Sequence, residues 1–84
     1  MKKFYNISNG YANGVPFEAT LEEAILKSLK STNCMCSCWL YEIGGNNIGR
    51  TRKVNYYDGY SFLTNDGKEY VRVGDKIKHI RTWK

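Results

Sequence analysis

One segment of the chain has the pattern of an amphipathic helix, and the rest of the fold has to be arranged around it. Thr20-Leu21-Glu22-Glu23 has the form of a capping box, in which the threonine hydroxyl and the glutamate carboxylate each accept a hydrogen bond from the other residue's amide. The sequence therefore predicts a single helix that begins here and is closed by Asn33. Its apolar stripe consists of Leu21, Ala24, Ile25, Ser28 and Leu29.

The remaining segments alternate or are rich in β-formers, and they are separated by turn signals. Gly44 to Asn47 is one turn, and Asp58-Gly59 and Asp66-Gly67 are two-residue hairpin signals. Ser8 to Pro16 is predicted to be a loop. The predicted strands are Lys2 to Ile7, Cys34 to Ile43, Ile48 to Tyr57, Tyr60 to Asn65 and Lys68 to Val73, followed by an extended piece from Lys76 to Trp83.

These elements predict an α+β fold in which one helix packs on one face of an antiparallel meander of four to five strands. Residues 1–84 form a single domain, and segment 76–84 either joins the sheet or hangs free as a flexible basic tail. Because side chains alternate along a strand, the two-residue turns assign each residue to a face. The face under the helix is predicted to hold Cys36, Cys38, Leu40, Tyr57, Tyr60, Phe62, Val71 and Val73.

The charge is unevenly distributed along the chain. Thirteen Lys and Arg stand against eight Asp and Glu, which gives a net charge of +5. Up to Gly49 four basic residues balance four acidic ones, whereas nine basic and four acidic residues follow from Arg50 onward. A field of one sign steers ligands of the other sign. The distribution favours an anionic partner, against the alternative of a basic surface that serves only solubility.

The sheet face away from the helix is the candidate binding surface, because it is predicted to interleave aromatic rings with basic side chains. Such a surface suits stacking of planar groups and capture of phosphates or carboxylates. It equally suits a protein partner, since Arg, Tyr and Trp dominate interface hot spots. The alternative is that cross-strand pairs of aromatic and arginine side chains stabilise an exposed sheet and bind no partner. The candidate residues are Trp39, Tyr41, Arg50, Arg52, Lys53, Tyr56, Tyr70 and Arg72.

Two short motifs are similar to known ligand-binding loops and strands. Gly44 to Thr51 has P-loop spacing with Arg50 in place of lysine, but a strand rather than a helix is predicted to follow it. Gly59-Tyr60-Ser61-Phe62-Leu63 resembles the aromatic strand of RNA-recognition-motif and cold-shock domains. It lacks the preceding basic residue, and the predicted register turns its rings toward the helix.

The cysteines are candidates for two kinds of site, a zinc site and a catalytic thiol. Cys34, Cys36 and Cys38 with His79 could supply a zinc ligand set, although small buried thiols fit a strand better. A thiol-dependent enzyme would need a Cys–His pair, and nothing in the sequence brings one together. We therefore expect a non-enzymatic protein with no metal and no cofactor. An odd cysteine number and the lack of a long apolar run predict a cytoplasmic protein that does not contact a membrane.

The whole-chain order of a short strand, one helix and an antiparallel meander is similar to that of several small phage-encoded inhibitors, among them some anti-CRISPR proteins. The resemblance is architectural, and it carries no functional residue across. It implies an inhibitor or adaptor that acts on a nucleic-acid-handling protein complex, in the host cytoplasm if the protein is phage-encoded. Direct binding of single-stranded DNA or RNA is the alternative, and the same face could also form a homodimer.

Overall fold

The computed structural model describes residues 1–9, 14–31, 37–57 and 59–83. Within these ranges one helix packs against a single antiparallel sheet of seven strands, in the order β2-β1-β3-β4-β5-β6-β7. The α+β class with one helix is confirmed, and the expected number of four to five strands is wrong. The elements are β1 (Lys3–Ser8), β2 (Phe17–Ala19), α1 (Leu21–Ser31), β3 (Trp39–Glu42), β4 (Asn47–Lys53), β5 (Tyr60–Thr64), β6 (Lys68–Val73) and β7 (Lys76–Thr82).

Helix α1 begins where the capping box predicts. The Thr20 amide donates to Oε1 of Glu23 at 2.8 Å, and the Glu23 amide donates to Oγ1 of Thr20 at 3.2 Å. This reciprocal pair satisfies two amides that the first turn would otherwise leave without partners. The buried Ser28 hydroxyl donates to the Ala24 carbonyl at 3.0 Å, so it adds no unsatisfied group to the core. Leu21 is 38% exposed in the first turn, and Asn33 lies outside the described residues.

The core lies between the helix and the concave face of the sheet. Helix α1 contacts all seven strands, so the sheet curls around it. Phe62 and Leu40 are fully buried there, and each contributes about 1.5 to 3 kcal/mol through removal of its side chain from water. The other members of this cluster are Tyr5, Ala19, Ala24, Ile25 and Leu29.

The predicted core is partly wrong. Tyr57 and Val73 are 57% and 51% exposed, while Tyr60 packs at the edge of the core. Val71 is fully buried, but it alternates with Tyr70 and so faces away from the helix. Cys38 is buried as predicted, and Cys36 lies outside the described residues.

Strands β1 and β2 extend the sheet beyond the predicted meander. Strand β1 lies between β2 and β3, with Tyr5 opposite both Phe17 and Glu42. Strand β2 has only three residues, too few to show a period-two pattern in the sequence. It caps the edge of the sheet just before the helix, which places Ala19 in the core.

The connection between β5 and β6 differs from the predicted two-residue turn. The Gly67 amide donates to the Thr64 carbonyl at 3.0 Å, and Gly67 has a φ of 95°. Asn65, Asp66 and Gly67 thus form a three-residue turn that ends in a left-handed glycine. The register moves by one residue, so Phe62 pairs with Tyr70 and Leu63 pairs with Glu69. A one-residue slip moves every following side chain to the other face.

The connection between β4 and β5 is also longer than predicted. The Val54 amide donates to the Gly59 carbonyl at 2.9 Å, so the chain turns between these two residues, and the strand ends at Lys53. Tyr57 lies in the left-handed region with a φ of 50°, and Asp58 of the expected turn lies outside the described residues. The pairing shifts by an even number of positions, so the predicted faces of β4 and β5 are kept.

Residues 43–46 form the turn after β3, and a strand follows them, so this glycine-rich segment does not open a helix. Trp39 pairs with Arg50, two positions from the predicted register, and a bulge follows between Leu40 and Tyr41. The buried Gly49 opposes Leu40 and Thr64. Phe62 and the backbone of β5 occupy the space where a side chain of Gly49 would lie.

Candidate binding face

Four of the eight predicted site residues share the sheet face turned away from α1, which we call the outer face. They are Trp39 and Tyr41 on β3 and Arg50 and Arg52 on β4. The alternation between these residues and the buried positions Leu40 and Thr51 places them outside the core. Tyr56 joins the same face from the loop after β4, through its hydroxyl contact with Glu69.

The other three predicted site residues lie elsewhere in the sheet. The one-residue slip turns Tyr70 toward the helix, where it packs on the core beside His79, with ring centroids 5.3 Å apart. Arg72 pairs with Ile77, which also packs on the core, so it follows Tyr70 to the concave face. Lys53 pairs with Tyr60 at the end of β4, and its position alternates with that of Arg52. The predicted eight-residue face is therefore wrong for Tyr70 and Arg72, whereas Lys53, at the end of β4, lines a cleft together with Arg52 and Tyr56.

An apolar strip occupies one half of the outer face. We use this name for Phe4, Trp39, Tyr41 and Ile43, which are 55%, 39%, 37% and 48% exposed. The Ile43 amide donates to the Phe4 carbonyl at 2.9 Å, and Tyr41 pairs with Asn6, two positions along β1 from Phe4. Neighbours at these register positions lie within reach of one another. The four side chains therefore form one continuous exposed patch.

Arg50 borders the apolar strip. It pairs with Trp39 across the ladder, and its guanidinium carbon lies 5.6 Å from the centre of the indole ring. Such a cation–π contact contributes about 0.5 to 1 kcal/mol at an exposed site. One cation therefore stands next to four apolar side chains at this end of the face.

A buried carboxylate organises the other half of the outer face. Glu69 on β6 is fully buried. Its Oε1 accepts from the Trp83 indole N–H at 3.0 Å and contacts Nε of Arg81 at 3.2 Å. Its Oε2 accepts from the Tyr56 hydroxyl and contacts Nη2 of Arg52 at 3.4 Å. We call Glu69 and these four partners the Glu69 cluster.

The Glu69 cluster keeps its carboxylate ionised. Burial alone would raise the pKa of Glu69, because it disfavours the charged form. Hydrogen bonds from Tyr56, Trp83 and Arg52 outweigh burial and lower the pKa from 4.5 to about 2. At neutral pH the carboxylate is therefore a fixed anion within a basic surface.

The segment after β6 completes this cluster. Strand β7 pairs along the whole of β6, and beyond it the Trp83 amide donates to the Gly67 carbonyl at 2.7 Å. Residues 76–83 thus form part of the sheet, and Lys84 lies outside the described residues. The Arg81 guanidinium carbon lies 5.4 Å from the Tyr56 ring centre and 5.3 Å from the Trp83 ring centre. Glu69 was not predicted because its face depends on the shifted register, and Arg81 and Trp83 were not predicted because segment 76–84 was given no pairing.

The structure describes two of the four candidate zinc ligands, Cys38 and His79. Cys38 is a buried free thiol immediately before β3, while His79 lies on β7, and β4, β5 and β6 lie between β3 and β7 in the sheet. Cys34 and Cys36 lie outside the described residues. In the part of the chain that the structure describes, no group of three or more His, Cys, Asp or Glu residues could hold a metal ion.

Comparison of the chain with protein-family models, with curated proteins and with solved structures finds no match. Across the described ranges, no helix is long and apolar enough to cross a membrane.

Proposed function

We propose that this chain is a binding protein that docks onto another protein through the apolar strip. The observation that carries the proposal is the continuous exposure of Phe4, Trp39, Tyr41 and Ile43 on one sheet face. Contiguous exposed apolar patches mark interaction sites more often than scattered apolar residues do. Trp, Tyr and Arg are also the residues that contribute most to protein interfaces.

The composition of the apolar strip favours a protein over a nucleic acid at this half of the face. Ile43, one of its four members, is aliphatic and offers no ring for a base to stack on. Glu18 pairs with Phe4 and adds a negative charge at the border of the strip. A polynucleotide backbone would meet one cation and one anion here, whereas an apolar protein surface would cover all four side chains.

Charge argues for a different protein rather than a second copy of this chain. Two copies that each carry a net charge of +5 repel one another. A partner with an apolar centre and an acidic rim would complement both the apolar strip and Arg50. We therefore commit to an acidic partner protein, and homodimer formation counts against the proposal.

The architectural resemblance to small phage-encoded inhibitors supports a narrower target class. We propose an inhibitor or adaptor that acts in the cytoplasm on a nucleic-acid-handling protein complex. Its role would be to occupy a surface of that complex, with no chemical step of its own. Direct binding of single-stranded nucleic acid through the apolar strip is the competing function that the experiment must separate from it.

The experiment begins with capture from nuclease-treated extract of the cells that produce the chain, followed by purification of the captured protein. Calorimetry then compares the purified partner's affinity for the unmodified chain with that for Trp39→Ala and Tyr41→Ala. The matched control is Tyr57→Ala, because Tyr57 is exposed outside the apolar strip. We expect each strip variant to weaken binding at least tenfold, or about 1.4 kcal/mol, and the control to change it less than twofold.

Two outcomes would overturn the docking proposal. Loss of capture after nuclease treatment would show that nucleic acid carries the interaction. Concentration-dependent dimerisation that Trp39→Ala abolishes would show that the strip is covered by a second copy.

A further inference from the structure

The Glu69 cluster forms the wall of an open cleft on the outer face, separate from the apolar strip. The cleft has a volume of about 530 Å³, and its lining includes Arg52, Lys53, Tyr56, Arg81 and Trp83. This volume falls within the range of about 300 to 1,000 Å³ that small-molecule sites occupy. Of these five residues, all except Lys53 contact the buried Glu69.

The charge of the cleft is positive despite the carboxylate beneath it. Arg52, Lys53 and Arg81 contribute three positive charges, and Glu69 contributes one negative charge, which leaves a net charge of +2. Lys53 makes no ion pair with any described residue. An anion that enters the cleft therefore meets cations that Glu69 alone does not neutralise.

The two guanidinium groups are held in place but keep donors available for a ligand. Arg81 meets Glu69 through Nε alone, and Arg52 meets it through Nη2 alone, at 3.4 Å. The latter separation is longer than the 2.7 to 2.9 Å of a strong charge-assisted hydrogen bond. Each guanidinium has five N–H donors. Nε of Arg52 is buried, so the donors of Arg52 that can serve a ligand are those of its Nη atoms that Glu69 does not use. A phosphate accepts two such donors from one fork.

Aromatic rings stand beside these donors. Trp83 is 47% exposed and Tyr56 is half-buried, and the Arg81 guanidinium carbon lies within about 5.4 Å of both ring centres. A planar base can stack on such rings or on a guanidinium plane. The cleft therefore combines guanidinium groups that can bind a phosphate with ring surfaces that can stack on a base, and a nucleotide contains both groups.

The geometry points to a nucleotide-binding site in this cleft, in which Arg52 and Arg81 hold the phosphate and Tyr56 and Trp83 contact the base. Glu69 acts as a positioning residue that fixes both arginines. The ligand is a free mononucleotide or one unit of a single strand, which share this chemistry. The site does not depend on the docking function of the apolar strip.

The test follows the Trp83 indole N–H signal in NMR spectra of the full chain during titration at low salt. The probes are adenosine monophosphate, adenosine, inorganic phosphate and a short oligothymidylate. We expect the monophosphate or the oligonucleotide to shift this signal saturably, and to bind at least tenfold more tightly than adenosine or phosphate. Binding of both probes indicates a mononucleotide site, and binding of the oligonucleotide alone indicates a site for one unit of a strand.

Two variants and one control separate a binding role from a structural one. Lys53→Gln removes a cation that is outside the Glu69 cluster, and Lys2→Gln removes the same charge at the remote amino terminus. Arg81→Lys keeps the charge and removes the fork. We expect Lys53→Gln to weaken nucleotide binding about threefold and Arg81→Lys about tenfold, with thermal unfolding measured alongside. The Lys2→Gln variant should bind nearly as the unmodified chain does.

Three results would overturn the nucleotide site. The first is an unshifted Trp83 signal with every probe. The second is phosphate or adenosine binding as tightly as the nucleotides do. The third is an equal effect of Lys53→Gln and Lys2→Gln on nucleotide affinity, which would show that binding depends only on the net charge of the chain.

Discussion

The indole N–H of Trp83 donates to Oε1 of Glu69 at 3.0 Å, which ties the segment after β7 to a buried carboxylate on β6. Arg81 meets the same oxygen at 3.2 Å. One acidic side chain thus positions both the last strand and the basic residues of the cleft.

Replacement of Glu69 by Gln should destabilise the fold. The variant keeps the size of the side chain but removes the negative charge that pairs with both Arg52 and Arg81. Its amide N–H groups would also face the N–H and O–H donors that now surround the carboxylate. Buried donors that lose their acceptor cost about 1 to 3 kcal/mol. Urea unfolding should show a decrease of this size in the free energy of unfolding. Glu18→Gln, at an exposed position of β2, is the control and should change it by less than about 0.5 kcal/mol.

The contribution of Glu69 to stability should depend on pH. Its pKa is about 2 in the folded chain and 4.5 ordinarily, so the unfolded chain binds this proton more tightly. The stabilisation is therefore present above pH 4.5 and is lost as the pH falls toward 2. The stability difference between the unmodified chain and Glu69→Gln should shrink across this window. A difference that stays constant with pH would contradict an ionised Glu69.

The capping box should contribute to stability as a reciprocal pair. Thr20→Ala removes the oxygen that accepts from the Glu23 amide at 3.2 Å, and loss of such a cap costs about 0.5 to 2 kcal/mol. In a double-mutant cycle, Thr20→Ala and Glu23→Ala should be less than additive, because each already disrupts the same pair. Glu22→Ala, one position earlier in the same turn, gives the control. Strict additivity in denaturant unfolding would show that the two hydrogen bonds act independently.

Gly49 should not tolerate a side chain. A Cβ there would lie 2.8 Å from Cε1 of Phe62 and 2.8 Å from Cα of Thr64, with the Leu63 carbonyl also in contact. Gly49→Ala should therefore lower the free energy of unfolding by about 1 to 3 kcal/mol or more. At Gly45 the nearest atoms belong to the flexible Glu42 side chain, at 3.2 Å. Gly45→Ala should be close to neutral, and equal effects of the two variants in thermal unfolding would contradict this packing.

The sequence allowed the helix and most of the strands to be predicted, because their signals are local. The capping box lies entirely within Thr20 to Glu23, and alternation marks strands such as Trp39–Glu42. Strand β2 was missed because three residues show no period. The turns were recognised as turns, but their lengths were not, since Asp66-Gly67 fits both a two-residue and a three-residue connection.

The candidate site was only partly predictable, because face assignment depends on register. Trp39, Tyr41, Arg50 and Arg52 kept their face, since the shifts before them were even. Tyr70 and Arg72 changed face with the single-residue slip after β5. No local signal reveals that Glu69 is buried, because a carboxylate is rarely buried unless it is paired. Its partners come from the β4–β5 loop and from the end of the chain.

The docking face is tested most directly by hydroxyl-radical footprinting of the purified complex with the captured partner. Oxidation of individual aromatic side chains is measured in the free chain and in the complex. We predict that Phe4, Trp39 and Tyr41 become protected while Tyr57 keeps its reactivity. Protection of Tyr57 together with unchanged oxidation of Trp39 and Tyr41 would contradict the assignment of the apolar strip as the docking surface.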